Sequence, residues 1–187
     1  LIDAVYERKF DVHNPFFFQT KGEEIRLLRT LGLDSVIKDT VTCWGYPNQM
    51  CAYKYTNHCG YCIPCLVRRV SLIAAGMQNN DDQYLVDVFG PRELLTEKQL
   101  LSVEDLACFC QSFSRLSKTE LLYRYPELVM IESGKGSASD GKLDMIIRVY
   151  RKFAEEFLYV VRHLGSDLII DSTENSKEQV VPSSILV

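Results

Sequence analysis

No apolar run in this chain approaches the 18 residues that a membrane-crossing helix needs, so no membrane span is expected. No segment has the charged, apolar, small-residue order of a secretory signal. There is no excess of positive charge: the net charge is −4, which points away from nucleic acid as a partner. No internal repeat is visible. What remains is a chain of 187 residues, 47 % hydrophobic and 25 % charged, enough for one domain with a sizeable core or a domain plus a helical appendage. The start at Leu1 rather than Met reads as that of a fragment with something before it.

Cysteine is unevenly spread. Five of the seven cysteines fall within residues 43–65, a clustering that reads as a reducing, cytoplasmic protein rather than a secreted disulfide framework. Cys59, Cys62 and Cys65 form a Cys-x2-Cys-x2-Cys run, and three thiols so spaced can turn toward one point. A fourth ligand comes from Cys43 or Cys51. Four thiolates make a tetrahedral zinc site, closed to substrate water and therefore structural. His58 adjoins Cys59, and adjacent side chains rarely converge on one ion. A bacterial ferredoxin run would place a further Cys, followed by Pro, at position 69, where this chain has Arg69, and its proline precedes Cys65 instead. Cys108 and Cys110 are two apart, point in different directions on a helix, and read as core residues.

Helix signals surround this loop. Thr20 and Glu23 form a capping box, Ile25, Leu28 and Leu31 bury one face, and Gly32 stops the helix. Pro64 suits the first turn of a second helix running through Leu66, Val70 and Ile73 to Gly76, with Cys65 in its first turn. Beyond Gly76 long helices dominate. Capping boxes at Ser102–Asp105 and Ser117–Glu120 predict two helix starts, and Pro126 ends the second of these helices. Residues 133–141 read as a flexible linker. Its Ser133–Ser137 stretch resembles a phosphate loop only faintly, with Val129 where a Walker-type loop needs Gly. From Leu143 to Leu164 apolar residues recur at three- and four-residue steps, predicting a long amphipathic helix that Gly165 closes. Short strands at Val5–Tyr6 and Leu168–Ile170 are the remaining weak signals.

Taken in order, Thr20-Lys21-Gly22-Glu23, Thr40-Val41-Thr42-Cys43-Trp44, Cys59-Gly60-Tyr61-Cys62-Ile63-Pro64-Cys65 with Arg68, and Ala75-Gly76 with Asp82 and Tyr84 resemble the C-terminal part of the 7-cyano-7-deazaguanine synthase family of PP-loop ATP pyrophosphatases. The resemblance covers residues 8–85. It implies a four-cysteine zinc with Cys43 as first ligand, Thr42 standing where the family has Ser. It also implies ATP- and magnesium-dependent conversion of 7-carboxy-7-deazaguanine to the nitrile, with Lys21 and Arg68 as candidate contacts to ATP or the acyl-adenylate. The family's S-G-G-x-D-S phosphate loop is absent, the gap between Cys43 and Cys59 is longer than usual, and about 100 residues follow Tyr84. The expectation is thus a mainly α chain. Residues 1–85 form the C-terminal zinc-binding part of an α/β PP-loop enzyme, inactive alone, and residues 86–187 a helical extension. Its partners would be a PP-loop half or subunit, or a second copy through the apolar last helix. A zinc-stabilised helical protein–protein interaction module is the competing expectation.

Overall fold

A computed structural model describes residues 13–45, 57–132 and 141–164. The expected strands at Val5–Tyr6 and Leu168–Ile170, Cys51, the linker up to residue 140 and the Gly165 stop lie outside the described residues. The described residues are mainly helical: α1 Lys21–Thr30, α2 Ile63–Ala74, α3 Glu97–Arg115, α4 Lys118–Arg124, α5 Glu127–Glu132 and α6 Lys142–Leu164. Short 3-10 turns occupy Asp34–Asp39, Gln78–Asn80 and Arg92–Leu94.

Several ends follow the sequence closely. The Thr20 hydroxyl accepts from the Glu23 amide at 3.1 Å, and the Glu23 carboxylate accepts from the Thr20 amide at 2.8 Å. Ser117 and Glu120 repeat this box at α4. Pro64 sits in the first turn of α2, and α4 ends at Arg124 just before Pro126. One start differs. α3 begins at Glu97, capped by Thr96, whose amide donates to Gln99 Oε1 at 2.9 Å. Ser102, expected as a cap, lies inside the helix and returns its hydroxyl to the Lys98 carbonyl at 3.4 Å. A Ser-x-x-Asp pattern is equally compatible with such back-bonding in a helix interior.

The main core joins α2 to the later helices. Leu66 and Val70 pack with Val103, Leu106, Phe109 and Phe113 of α3, Leu121 of α4, Leu128 of α5, and Leu143, Ile147, Phe157 and Val160 of α6. Phe113 stacks on Tyr125, with ring centroids 5.3 Å apart. One hydrophobic cluster therefore draws on residues from both sides of position 85. A smaller cluster of Ile25, Ile37, Leu72, Ala75 and Met77 fixes α1 and the first 3-10 turn to the other side of α2. Cys43, Cys59 and Cys65 form a third cluster with Cys62 and Tyr61 against it.

Candidate metal centre

α2 is the platform of the site. Cys62 is its N-cap residue, in extended conformation, and Cys65 follows in the first turn, fully buried. Cys59 precedes them on a loop that runs beside residues 84–86: the Leu85 amide donates to His58 O at 2.9 Å and the Val86 amide to Cys59 O at 3.1 Å. Gly60 turns the chain between the first two thiols at φ +87°, and a Cβ there would collide with the Val86 carbonyl. Glycine meets both demands, the left-handed backbone and the close approach.

The structure brings Cys43, Cys59, Cys62 and Cys65 together, their sulfur atoms all within 4.8 Å of one another. Cys43, Cys59 and Cys65 are buried. The Cys59 and Cys65 sulfurs are 3.9 Å apart, and the Cys62 amide donates to Cys59 Sγ at 3.4 Å. That sulfur spacing is far beyond a disulfide bond of about 2 Å. A tetrahedral ion with metal–sulfur bonds of about 2.3 Å places its sulfurs about 3.8 Å apart, so the cluster can hold a metal ion with little rearrangement. Electrostatics point the same way. Hydrogen bonds from Cys62 and Cys65 hold the Cys59 thiol below its usual range. The hydrogen bond to Cys59 pushes Cys62 up to about 11, and Cys65 is raised for the same reason. Among Cys59, Cys62 and Cys65 one thiolate suppresses the next, and a bound multivalent cation would let these three ionise together.

Arg68, one turn after Cys65, is 7 % exposed. Its Nε donates to Asp81 Oδ1 and Oδ2 at 3.1 and 3.0 Å, and its Nη2 to Asp81 Oδ1 at 2.7 Å. Nη1 donates to Thr40 Oγ1 at 2.7 Å, and Nη2 also to the Ile37 carbonyl at 2.6 Å. The guanidinium thus ties the segment that leads into Cys43 to the helix that carries Cys65. Burial alone would raise the Asp81 carboxyl, but hydrogen bonds from Arg68 and from Tyr84 Oη, 2.5 Å away, outweigh it and hold the group below its usual range. His58, fully buried, lies 3.9 Å from Asp81 and tilts against the Tyr84 ring. Its position beside Asp81 and Tyr84 places it in this clamp rather than in the sulfur cluster. Sequence reasoning passed over Asp81 and Thr40 as partners. The Arg68 pattern was visible, but its partners come from loops whose convergence no spacing encodes.

Lys21 is elsewhere. It is half exposed at the start of α1 and pairs with Glu24 at 2.7 Å. Cys110 is fully buried and Cys108 partly so, both apart from the metal cluster. Among the described residues no helix is long and apolar enough to cross a membrane.

Fold and site together define a small helical protein built around a four-cysteine, metal-competent centre. Residues 2–76 match the family model described as Queuosine biosynthesis protein QueC. The match contains all four clustered cysteines, Lys21 and Arg68, and it ends at Gly76, before α3 begins. No curated protein and no solved structure matches the chain.

Proposed function

We propose that this chain is the zinc-containing C-terminal portion of a 7-cyano-7-deazaguanine synthase-like, ATP-dependent enzyme acting on deazapurine carboxylates in the cytoplasm. The observation that carries the reading is the four-cysteine cluster lying inside the segment that matches the QueC family. Zinc is the ion chosen, because an all-thiolate tetrahedral set suits it and the iron–sulfur spacing is absent. Held by Cys43, Cys59, Cys62 and Cys65, zinc would supply no reaction chemistry. It would fix the loop before α2 and, through Arg68, the segment of residues 37–43. Lys21 is the cation available to face ATP phosphates, being exposed, whereas the Arg68 nitrogens are engaged with Asp81, Thr40 and Ile37. With no S-G-G-x-D-S loop in its sequence, the chain would act only with a PP-loop half or partner subunit supplying the magnesium–ATP site.

The test mixes the purified chain with a PP-loop half and magnesium–ATP, then adds 7-carboxy-7-deazaguanine and ammonia. Pyrophosphate release dependent on both halves is the expected result. No ATP binding and no pyrophosphate from the mixture would overturn the enzymatic reading. The competing reading, a zinc-stabilised helical interaction module, draws support from the exposed Tyr123 and Met130, 92 % and 76 % accessible on α4 and α5. It predicts an unchanged zinc content with no nucleotide response.

A further inference from the structure

The four sulfurs of the metal centre are not equally sheltered. Cys43 is 7 % exposed, Cys59 5 % and Cys65 0 %, whereas Cys62 reaches solvent in part. Cys62 is the N-cap of α2, Pro64 follows it, and Cys65 completes the first turn. The Leu66 amide donates to the Cys62 carbonyl at 2.9 Å, so Cys62 belongs to the first hydrogen-bonded turn. Residues three apart on such a turn have α-carbons about 5 Å apart. A disulfide needs about 4.4–6.8 Å between them. The sulfurs of the cluster already lie within 4.8 Å of one another. Cys62 and Cys65 can therefore be joined by side-chain rotation, with α2 left in place. Cys59 is also three residues from Cys62, but it lies across the Gly60 turn at φ +87°, where no helical repeat sets the spacing.

A Cys-x-Pro-Cys sequence at a helix start, with the first thiol accessible and the second buried, is an arrangement that carries dithiol–disulfide chemistry. In a metal-loaded centre every ligand sulfur is a thiolate, so access decides which one an oxidant meets.

We propose that Cys62 is the oxidation site of the centre: a peroxide attacks there, Cys65 closes a Cys62–Cys65 disulfide, and the metal is released. The inference rests on the zinc reading of the four-cysteine cluster and does not need the enzymatic one. The Cys62 thiolate breaks the peroxide O–O bond, becoming a sulfenic acid and releasing hydroxide. The Cys65 thiolate then attacks the Cys62 sulfur, forming the S–S bond and expelling a second hydroxide. Two electrons pass from the two sulfurs to the peroxide, and two protons from solvent turn the hydroxides into water. Cys43 and Cys59 remain as an incomplete ligand pair. A dithiol reductant takes the disulfide back to two thiols, so the centre can be refilled.

The test uses the full chain, reduced and loaded with zinc, and hydrogen peroxide as the oxidant. A chromogenic chelator reads zinc release, a 1,3-diketone traps sulfenic acid, and mass spectrometry maps the disulfide. Release of about one zinc ion per Cys62–Cys65 disulfide is expected, one ion being shared by four thiolates. The first trapped sulfenate among the ligands should be at Cys62, and dithiothreitol with zinc should reverse the release. Release with Cys62 unmodified, or with a disulfide joining another pair, overturns the proposal. So does zinc retained after the partly exposed Cys108, outside the cluster, is already oxidised. Cys62→His keeps a zinc ligand without a thiol, and its release should be about tenfold slower, because imidazole is not on the thiol oxidation ladder. Release at the wild-type rate in that variant also overturns the proposal. If Cys62→His takes up no zinc, the wild-type map decides: a sulfenate at Cys62 before any other ligand supports the site, and any other order removes it. A reduced wild-type chain that takes up no zinc sinks the zinc reading before peroxide is added. A loaded chain that keeps its zinc sinks this inference alone.

Discussion

At the scale of single residues, the cysteines and their arginine divide the work. Cys43→Ser should release the metal, because its sulfur closes the cluster, whereas Cys51→Ser should retain about one zinc per chain. Metal analysis after gel filtration checks both, and the reverse pattern would reassign the fourth ligand. Arg68→Ala leaves Asp81 buried without its cation and frees the residue 37–40 segment. Losing one partner of a buried pair costs about 3–5 kcal/mol, which chemical denaturation should register. Glu156 gives a pH signature. Burial raises its carboxyl above the ordinary 4.5 despite the hydrogen bonds from Arg26 and Thr20 and the nearby Lys152. The folded state then holds that proton more tightly than the unfolded state, so this group's contribution to stability falls as pH rises through the window above 4.5. In Glu156→Gln that falling leg should disappear from the stability–pH curve, while the remainder of the curve keeps its shape.

At the scale of elements, helix starts show what local sequence encodes and what it does not. Thr20–Glu23 and Ser117–Glu120 are legible because a capping box is chemistry within four residues. The same logic misplaced the start of α3, since Ser102 and Asp105 present the right residue types inside a helix that Thr96 and Gln99 already begin. Thr96→Ala should therefore cost about 1 kcal/mol, the usual loss of a cap. Ser102→Ala should stay within about 0.5 kcal/mol, as exposed substitutions do. A larger effect at Ser102 than at Thr96 would contradict the assigned start. The cysteine run was legible for the same local reason. The Arg68–Asp81–Thr40 clamp was not, because its members lie 13 and 28 residues from Arg68 and meet only after α2 has packed. Glu156 did leave a trace: at three residues after Phe153 and four before Val160, it interrupts the apolar stripe of α6.

At the scale of the whole molecule, the question is whether the segment resembling a known family stands alone. It shares its core with the helices beyond residue 85. Leu66 and Val70 of α2 are fully buried, and their neighbours include Phe113 of α3 and Phe157 of α6. α6 contributes Leu143, Ile147, Phe157 and Val160 to the same core. A chain ending at residue 85 would expose Leu66 and Val70, losing about 1.5–3 kcal/mol for each side chain, and would also lose the Glu156–Arg26 and Lys152–Glu23 pairs. A metal held by the four cysteines would tie Cys43 to Cys59, Cys62 and Cys65 but would not replace that apolar surface. Fragment 1–85 with zinc supplied should bind metal through its cysteines and yet show no cooperative thermal transition and poor amide dispersion, whereas the full chain melts cooperatively. A sharp transition in the fragment would mean that the metal centre and the α1–α2 cluster suffice as a folding unit. The later helices would then be an appendage in energy as well as in sequence. Under the observed packing, α3 and α6 instead complete the core on which the metal loop rests.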